Sequence, residues 1–525
     1  MTELRLSGRA AAPGLAIGPV VAMAAATAAR AATGDPAREA GDLRAALAAA
    51  AAEITALAER SDGEAADILA FQVAMLEDAA LAEGAFHAIE AGIPADHAWR
   101  QALAAEIEGY EAAEDEYFRA RAADLVDIRD RVLAHLTGTA GLDVVPRGAI
   151  LAAEDLTPSR FLATDWSAGG AVVLAGGSPS SHVAMLARAR GVPMVVALGE
   201  TPAGRVALVD GDRGVVVVEP GPQTRQAFEG RMEEAAAAGA AALAFRDRPA
   251  AMADGTPVSV LINIAEPAEL DGLDPAICDG IGLVRTEFLF HAGRGLPDEE
   301  AQLAVYARIA AWARGRPVTI RTLDAGGDKP IAGLTVQEAN PFLGLRGIRL
   351  SLTRPEVFRV QLRALARAAV HGNVKVMLPM VAVPAELERA GALLDEAVAD
   401  LKAAGLPHAR PPLGIMVEVP AAAISATRFP AAFYSIGSND LTQYTMAAAR
   451  DLGAVAELND AGDPAVLALI ASTVAAGAAR GVEVSLCGDA GADLSLLPKL
   501  LATGLRAVSV APVAVARVKA AIARC

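Results

Sequence analysis

The 525-residue chain carries 46 Lys and Arg against 63 Asp and Glu, a net charge of −17 with a pI near 5.0. Such an excess repels nucleic acid and anionic membranes unless a basic patch intervenes, and no Lys/Arg run is present. Hydrophobic residues at 54% exclude a disordered chain, aromatics at 4% argue against a base-stacking surface, and the three scattered cysteines, Cys278, Cys487 and Cys525, favour a reducing, cytoplasmic compartment.

In chain order, the first long uncharged run covers residues 10–29. It contains Pro13, Gly14, Gly18 and Pro19 and follows a mixed-charge segment, so it reads as a buried strand plus loop, with a secretory signal as the weaker alternative. From Arg38 to Leu136 strong helix formers carry apolar residues at spacings of three and four, which predicts an all-helical module. Short β-branched runs then occur at 149–153, 171–174, 194–198, 206–210 and 215–219, and with 16–23 they predict an α/β domain into which the helical module is inserted. Residues 223–246 are an alanine-rich helical connector. Eight apolar strand candidates follow at 258–264, 281–285, 318–324, 374–380, 413–418, 433–437, 482–487 and 507–511, each separated from the next by room for a crossover. That count predicts a (β/α)8 barrel; the rival, an open doubly wound sheet, normally uses fewer strands.

A barrel collects its active site at the C-terminal ends of its strands. Those ends read Asn263, Arg285, Arg321 with Asp324, Met380, Glu418, Gly437 to Asp440, and Cys487 to Asp489. One Arg or Glu there is ordinarily a solvated strand end, but the joint concentration at one end points to a site. Arg285 and Arg321, with Lys329 and Arg346, can grip a multiply charged anion through forked hydrogen bonds. Glu418 and Asp440 can share a hard divalent cation that keeps positions for water and substrate oxygens. Cys487 could move a proton to or from carbon beside them, or be an inert buried thiol.

The second constellation is Gly176-Gly177-Ser178-Pro179-Ser180-Ser181-His182. An apolar strand ends in paired glycines, and small hydroxyl residues cap a helix whose first turn contains a histidine. The positive helix end keeps the imidazole neutral and nucleophilic, then stabilises a phosphate on it; a capping histidine without chemistry is the bland alternative. His87, His97, His135, His291, His371 and His408 lack such a setting and read as structural or surface residues.

Together the two sites resemble the phosphoenolpyruvate-protein phosphotransferase family, enzyme I of the bacterial sugar phosphotransferase system. The resemblance is carried, in order along the chain, by residues 12–18, 76–78, the His182 loop, 282–290, 321–329, 340–346, 414–422, 435–445 and 487–488. It implies an α/β multidomain fold. A swivelling phosphohistidine domain spans 1–24 and 142–222, an all-helical phosphocarrier-binding subdomain 25–141, a helical linker 223–254, and a phosphoenolpyruvate-binding TIM barrel 255–525. It further implies that His182 takes the phosphoryl group on Nε2 and passes it to a histidine of HPr or a homologue. Arg285, Arg321 and Arg346 hold the substrate phosphate with Lys329 assisting, while Asn439 and Arg450 orient the substrate. Glu418 and Asp440 bind Mg2+, and Cys487 protonates the enolate carbon to give pyruvate. Gln72 and Met75 are assigned to the carrier-facing surface, and a homodimer through the barrel is expected.

Three departures accompany the resemblance. The family pattern Gly-Gly-x-Thr-Ser-His is one residue longer here and has Ser180 for threonine; Ala449 replaces an aspartate before Arg450; and Cys487-Gly488 continues with Asp489 where the family has glutamate. These resemble the enzyme-I-like modules fused to specialised phosphocarriers for fructose or dihydroxyacetone. Two other readings stand beside this one: a truncated relative of pyruvate phosphate dikinase or phosphoenolpyruvate synthase, which lacks a nucleotide-binding glycine loop here, and a phosphoenolpyruvate-binding regulator that transfers to no carrier.

Overall fold

The computed structural model describes residues 3–23, 30–60, 64–111, 116–139, 145–179, 181–290, 296–327, 331, 333–336, 338–449 and 453–525. They fall into two units, residues 1–235 and 236–525.

The first unit opens with strands β1 (Leu4–Ser7), β2 (Arg9–Ala12) and β3 (Leu15–Ala22). Five helices follow: α1 (Pro36–Ala58), α2 (Glu64–Glu77), α3 (Ala79–Glu90), α4 (Ala95–Glu111) and α5 (Glu116–Thr137). The chain then returns through β4 (Ile150–Ala153), α6 (Pro158–Ala163), β5 (Ala171–Leu174), α7 (His182–Arg190), β6 (Met194–Val196), β7 (Val206–Asp210) and β8 (Val215–Val218). The sheet order is β1-β8-β7-β3-β4-β5-β6-β2. Its centre, β3-β4-β5-β6, is parallel, and its flanks are antiparallel. Every residue of β4 and β5 is buried, which is why they read as unbroken apolar runs and not as alternation.

The uncharged run near the start holds two strands where one was expected. Between β2 and β3 lies Gly14 at φ 124°, a conformation that favours glycine and lets the chain redirect. The edge strands β1 and β2 carry no apolar pattern in the sequence because each is four residues long and includes an arginine, Arg5 or Arg9. In the helices, Leu43, Ile54, Leu69, Trp99, Leu103 and Ile128 are fully buried, and they share one core with Leu151 of β4, Phe161 of α6 and Val172 of β5. One face of the sheet is thus covered by the helical insertion.

Helix α8 (Pro222–Leu243) leads into the second unit. Its strands are β9 (Ser259–Ile264), β10 (Ile281–Val284), β11 (Pro317–Arg321), β12 (Asn373–Leu378), β13 (Leu413–Val417), β14 (Phe433–Gly437), β15 (Glu483–Cys487) and β16 (Ala507–Val510). All pair in parallel, and β16 closes on β9 from Ala507↔Ser259 to Val510↔Ile262. Closure removes the open sheet as an alternative, and each expected strand is present within a few residues of its predicted ends. The β9-to-β10 crossover carries no α-helix; two single-turn 3-10 helices, Pro267–Leu270 and Pro275–Ile277, span it. Outward-facing Val260, Ile262, Ile320 and Ile415 join the surrounding helices in the main core, while Leu283, Met377, Met416, Phe433 and Cys487 form a small separate cluster. Among the described residues no helix is long and apolar enough to cross a membrane.

Candidate active site

At the C-terminal ends of the barrel strands Glu287, Arg321, Asp324, Arg346, Asp440 and Tyr444 form one connected group. Arg321, the last residue of β11, is buried, and its guanidinium is held by carboxylates on two sides. Nη2 donates to Glu287 Oε1 at 3.1 Å and Nη1 lies 3.0 Å from Asp324 Oδ2. Asp324, fully buried, also receives Arg346: Nε donates to Oδ1 at 3.0 Å and Nη2 to Oδ2 at 3.1 Å. The other edge of Arg346 faces Asp440, with Nη1 to Oδ1 at 2.9 Å and Nη2 to Oδ2 at 3.2 Å, and Nη1 reaches Tyr444 Oη at 3.3 Å. Burial alone would lower both arginine pKa values. The carboxylates of Glu287, Asp324 and Glu418 around Arg321, and of Asp324, Asp440 and Glu418 around Arg346, outweigh it and hold both above the ordinary value. Both arginines are therefore held charged, and each is already matched by carboxylates. Arg321 Nε remains a buried donor with no acceptor among the described residues.

Arg285 differs. Its backbone N–H donates to Ile264 O at 2.9 Å, which fixes it just past β10, while its side chain is exposed and has no ion-pair partner among the described residues. Lys329 and Arg450 lie outside the described residues.

Glu418 follows β13 and is almost wholly buried. Oε1 accepts the backbone N–H of Met380 at 2.6 Å, and Oε2 has no hydrogen-bond partner among the described residues. Burial, and then the nearby carboxylates of Asp440 and Asp324, push its pKa to about 8. A buried carboxylate oxygen without a donor, in electrostatic reach of two further carboxylates, fits a hard divalent cation. No group of three or more His, Cys, Asp or Glu in metal-binding proximity exists among the described residues, so such an ion held by Glu418 and Asp440 would complete its shell with water and substrate oxygens. A Cβ at Gly437 would lie 2.9 Å from Glu418 Oε2, so the carboxylate packs against the end of β14 only because a glycine is there.

Cys487 ends β15 and is buried. Its Sγ donates to Ile436 O at 3.5 Å and accepts from Ser435 Oγ at 3.6 Å. Burial pushes the thiol pKa up and Glu418 adds to it, against the pull of Ser435, Arg321 and Arg285, so the sulfur stays protonated near neutrality. Asn439, in the first turn after β14, is held by Asp489: Nδ2 donates to Oδ2 at 3.1 Å, and the Asp489 N–H donates to Asn439 Oδ1 at 3.0 Å.

In the first unit, β5 ends at Leu174 and the chain turns through Gly177 at φ 81°. Ser181 is the N-cap of α7: its Oγ accepts from Ala184 N at 3.2 Å, and its own N–H donates to Ser178 O at 3.1 Å. His182 is consequently the first residue of a nine-residue helix, at its positive end. Ser180 lies outside the described residues.

The assignment of Gln72 to a carrier-facing surface is corrected. Its side chain is fully buried, and Nε2 donates to Asp124 Oδ1 at 3.1 Å and to Asp127 Oδ2 at 3.2 Å. A polar residue on an inward helix face is kept there by carboxylate partners from α5. Met75 is half-buried and packs on the same core.

Glu287, Asp324, Met380 and Tyr444 complete the group without having been assigned a role from sequence. Glu287 and Asp324 lie inside the motifs quoted above, so their position was visible there, but nothing local says that they meet on Arg321.

Comparison with known proteins shows the family to which the chain belongs. Three family models match in succession: the PEP-utilising enzyme N-terminal model over residues 7–121, the mobile domain over 145–214 and the PEP-binding domain over 240–525. The phosphoenolpyruvate-protein phosphotransferase of Haloferax volcanii is 38% identical, covering 89% of this chain and 83% of that protein. The one from Streptomyces coelicolor is 39% identical over 99% and 94% of the two chains. A multiphosphoryl transfer protein of Rhodobacter capsulatus is 40% identical over 82% of this chain and 52% of its own length. The chain belongs to the PEP-utilising enzymes, in the phosphoenolpyruvate-protein phosphotransferase family.

Proposed function

We propose that this protein moves the phosphoryl group of phosphoenolpyruvate to His182 and on to a histidine of an HPr-like phosphocarrier, releasing pyruvate. The observation that carries this reading is the buried arginine pair, Arg321 and Arg346, beside a carboxylate oxygen without a hydrogen-bond partner among the described residues and a buried thiol, at one end of a barrel. Arg285, Arg321 and Arg346 bind the substrate phosphate, assisted by Lys329. Asn439, braced by Asp489, and Arg450 orient the remainder of the substrate. Mg2+, the cation that suits Glu418 and Asp440, would when bound neutralise charge on the phosphate and on the departing enolate.

In the transfer the P–O bond to the enol oxygen breaks and a P–N bond to His182 forms. The helix end at α7 favours the added negative charge. The enolate left behind takes a proton at its terminal carbon from the Cys487 thiol; a C–H bond forms as the S–H bond breaks, and the thiolate recovers its proton from solvent. The positive charges of Arg321 and Arg285 ease that donation. The carrier then removes the phosphoryl group from His182 and the imidazole is restored.

Residues 36–137 hold 21 Asp and Glu against 8 Lys and Arg, so −13 of the chain's −17 falls in the helical segment. That supports a carrier with a basic docking face, whose capture should weaken with salt. The reading includes a cytoplasmic setting and a homodimer through the barrel; sedimentation of the pure protein tests whether it is a dimer.

Incubation with 32P-labelled phosphoenolpyruvate and Mg2+, with and without HPr-type, fructose-type and dihydroxyacetone-type carriers, tests the whole. Acid-labile, base-stable label is expected on the enzyme and then on one carrier. Label that persists in His182→Ala would remove that residue as nucleophile, and label that reaches no carrier would refute the second transfer.

A further inference from the structure

We infer that Asp324 is a positioning residue for the substrate-binding arginines, an inference that rests on the reading above. Its carboxylate touches both buried guanidinium groups. Oδ1 takes Arg346 Nε, and Oδ2 takes both Arg346 Nη2 and Arg321 Nη1, all between 3.0 and 3.1 Å. The carboxylate is fully buried, so water cannot stand in for it. Its backbone is fixed as well. The Asp324 N–H donates to Glu287 Oε1 at 3.1 Å, and that same oxygen accepts Arg321 Nη2.

A guanidinium has two forked edges, and which edge meets a ligand decides how the ligand is held. Asp324 occupies the Nε/Nη2 edge of Arg346, so the Nη1/Nη2 edge is the one directed at Asp440, the carboxylate assigned to the cation. It also sets the spacing between two like charges that repel in a buried setting. Gly347 keeps the arrangement tight: its φ is +58°, and a Cβ there would lie 3.3 Å from Asp324 Oδ1 and 3.0 Å from the Met380 Cβ. Remove the charge at Asp324 and Arg346 is free to rotate toward Asp440, while Glu287 is the charged hydrogen-bond partner left to Arg321 among the described residues.

Asp324→Asn keeps the shape and places an amide N–H against guanidinium donors. The expected result is a loss of about 100-fold in kcat/KM for phosphoenolpyruvate with KM raised about tenfold, the scale of a displacement near 1 Å in a binding group. The discriminating readout is a double-mutant cycle with Arg346→Lys, which cannot be held by two parallel bonds. If Asp324 acts through Arg346, adding Asp324→Asn to the Arg346→Lys enzyme costs far less than it costs the parent. Full additivity, or a kcat/KM near that of the parent for Asp324→Asn, overturns the inference. A lowered Tm with unchanged kinetics in the folded fraction does so too, since that is what a merely structural residue produces. Should Asp324→Asn not fold, Asp324→Glu retains the charge and moves it by one methylene. A loss of about tenfold or more in kcat/KM is then expected, and wild-type kinetics overturn the assignment. Parent enzyme that takes no label from phosphoenolpyruvate refutes the function itself, whereas labelled parent with unaffected variants refutes only the role of Asp324.

Discussion

The backbone N–H of Met380 donates to Glu418 Oε1 at 2.6 Å, from a left-handed conformation with φ 58°. A non-glycine residue is held in that region only when its surroundings require it, and here the strained amide is aimed at a buried carboxylate. Burial, and then the carboxylates of Asp440 and Asp324, favour the protonated form of Glu418 in metal-free protein, and its other oxygen has no hydrogen-bond partner among the described residues. Its pKa rises from 4.5 in the unfolded chain to about 8 in the fold. The native state therefore holds a proton that the unfolded state has lost, and this contribution to stability declines as pH rises through that window. In EDTA, Glu418→Gln should gain Tm relative to the parent as pH goes from 6 to 9, and should lose Mn2+ binding followed by electron paramagnetic resonance. A Tm difference independent of pH would contradict the assignment.

Cys487 should be slow to alkylate. Its thiol is buried, donates to Ile436 O and has a raised pKa, whereas Cys525 is half-exposed. Because the thiolate is the reactive form, iodoacetamide at pH 8 should label Cys525 well before Cys487 in native protein, as read by peptide mass spectrometry. In the same enzyme, Cys487→Ala should lower steady-state pyruvate formation by about 100-fold or more, the usual worth of a positioned general acid.

Gly488 joins Cys487 to the Asn439 brace. It has φ +100°, and a Cβ added there would lie 2.3 Å from Ser438 Oγ and 2.8 Å from Asn439 Oδ1. Gly488→Ala should cost about 2 kcal/mol or more in stability of the barrel half and displace Asn439. Thermal unfolding and the KM for phosphoenolpyruvate measure the two effects.

Glu39 ties the start of α1 to the start of α4. Its carboxylate accepts from Thr33 N at 2.7 Å, Thr33 Oγ1 at 2.6 Å, Arg30 Nη1 at 2.5 Å and Ala95 N at 2.9 Å. Burial raises the pKa, but these donors overcome it and bring it from 4.5 to about 2. A depressed carboxylate stabilises above the unfolded value and loses that contribution as pH falls toward the folded one. Glu39→Gln should therefore cost about 2 kcal/mol at pH 7, the worth of buried donors left without an acceptor. The gap to the parent should shrink between pH 4.5 and 2, measured by urea unfolding.

Much of this molecule is legible in the chain itself. Buried parallel strands such as Ile281–Val284 and Leu413–Val417 are continuous apolar runs followed directly by a charged residue, so their number and spacing imply a barrel. The Ser181 cap and the helix starting at His182 follow from small hydroxyl residues before an apolar periodic segment. Less legible were β1 and β2, whose four residues carry no pattern longer than noise, and Gln72, whose inward face depends on Asp124 and Asp127 arriving from another helix.

The residue types of the site, their order along the chain and the strands that deliver them are all written in the amino-acid sequence. Which residue partners which is set by the folded chain. Asp324 and Asp440 converge on Arg346 from 22 and 94 residues away, and Glu287 reaches Arg321 across 34. Periodicity records which side of an element is buried, a local property. Ion-pair partners are set by strand register and barrel closure, which bring distant charges together where no water remains to compete, and that information exists only once the chain has closed on itself.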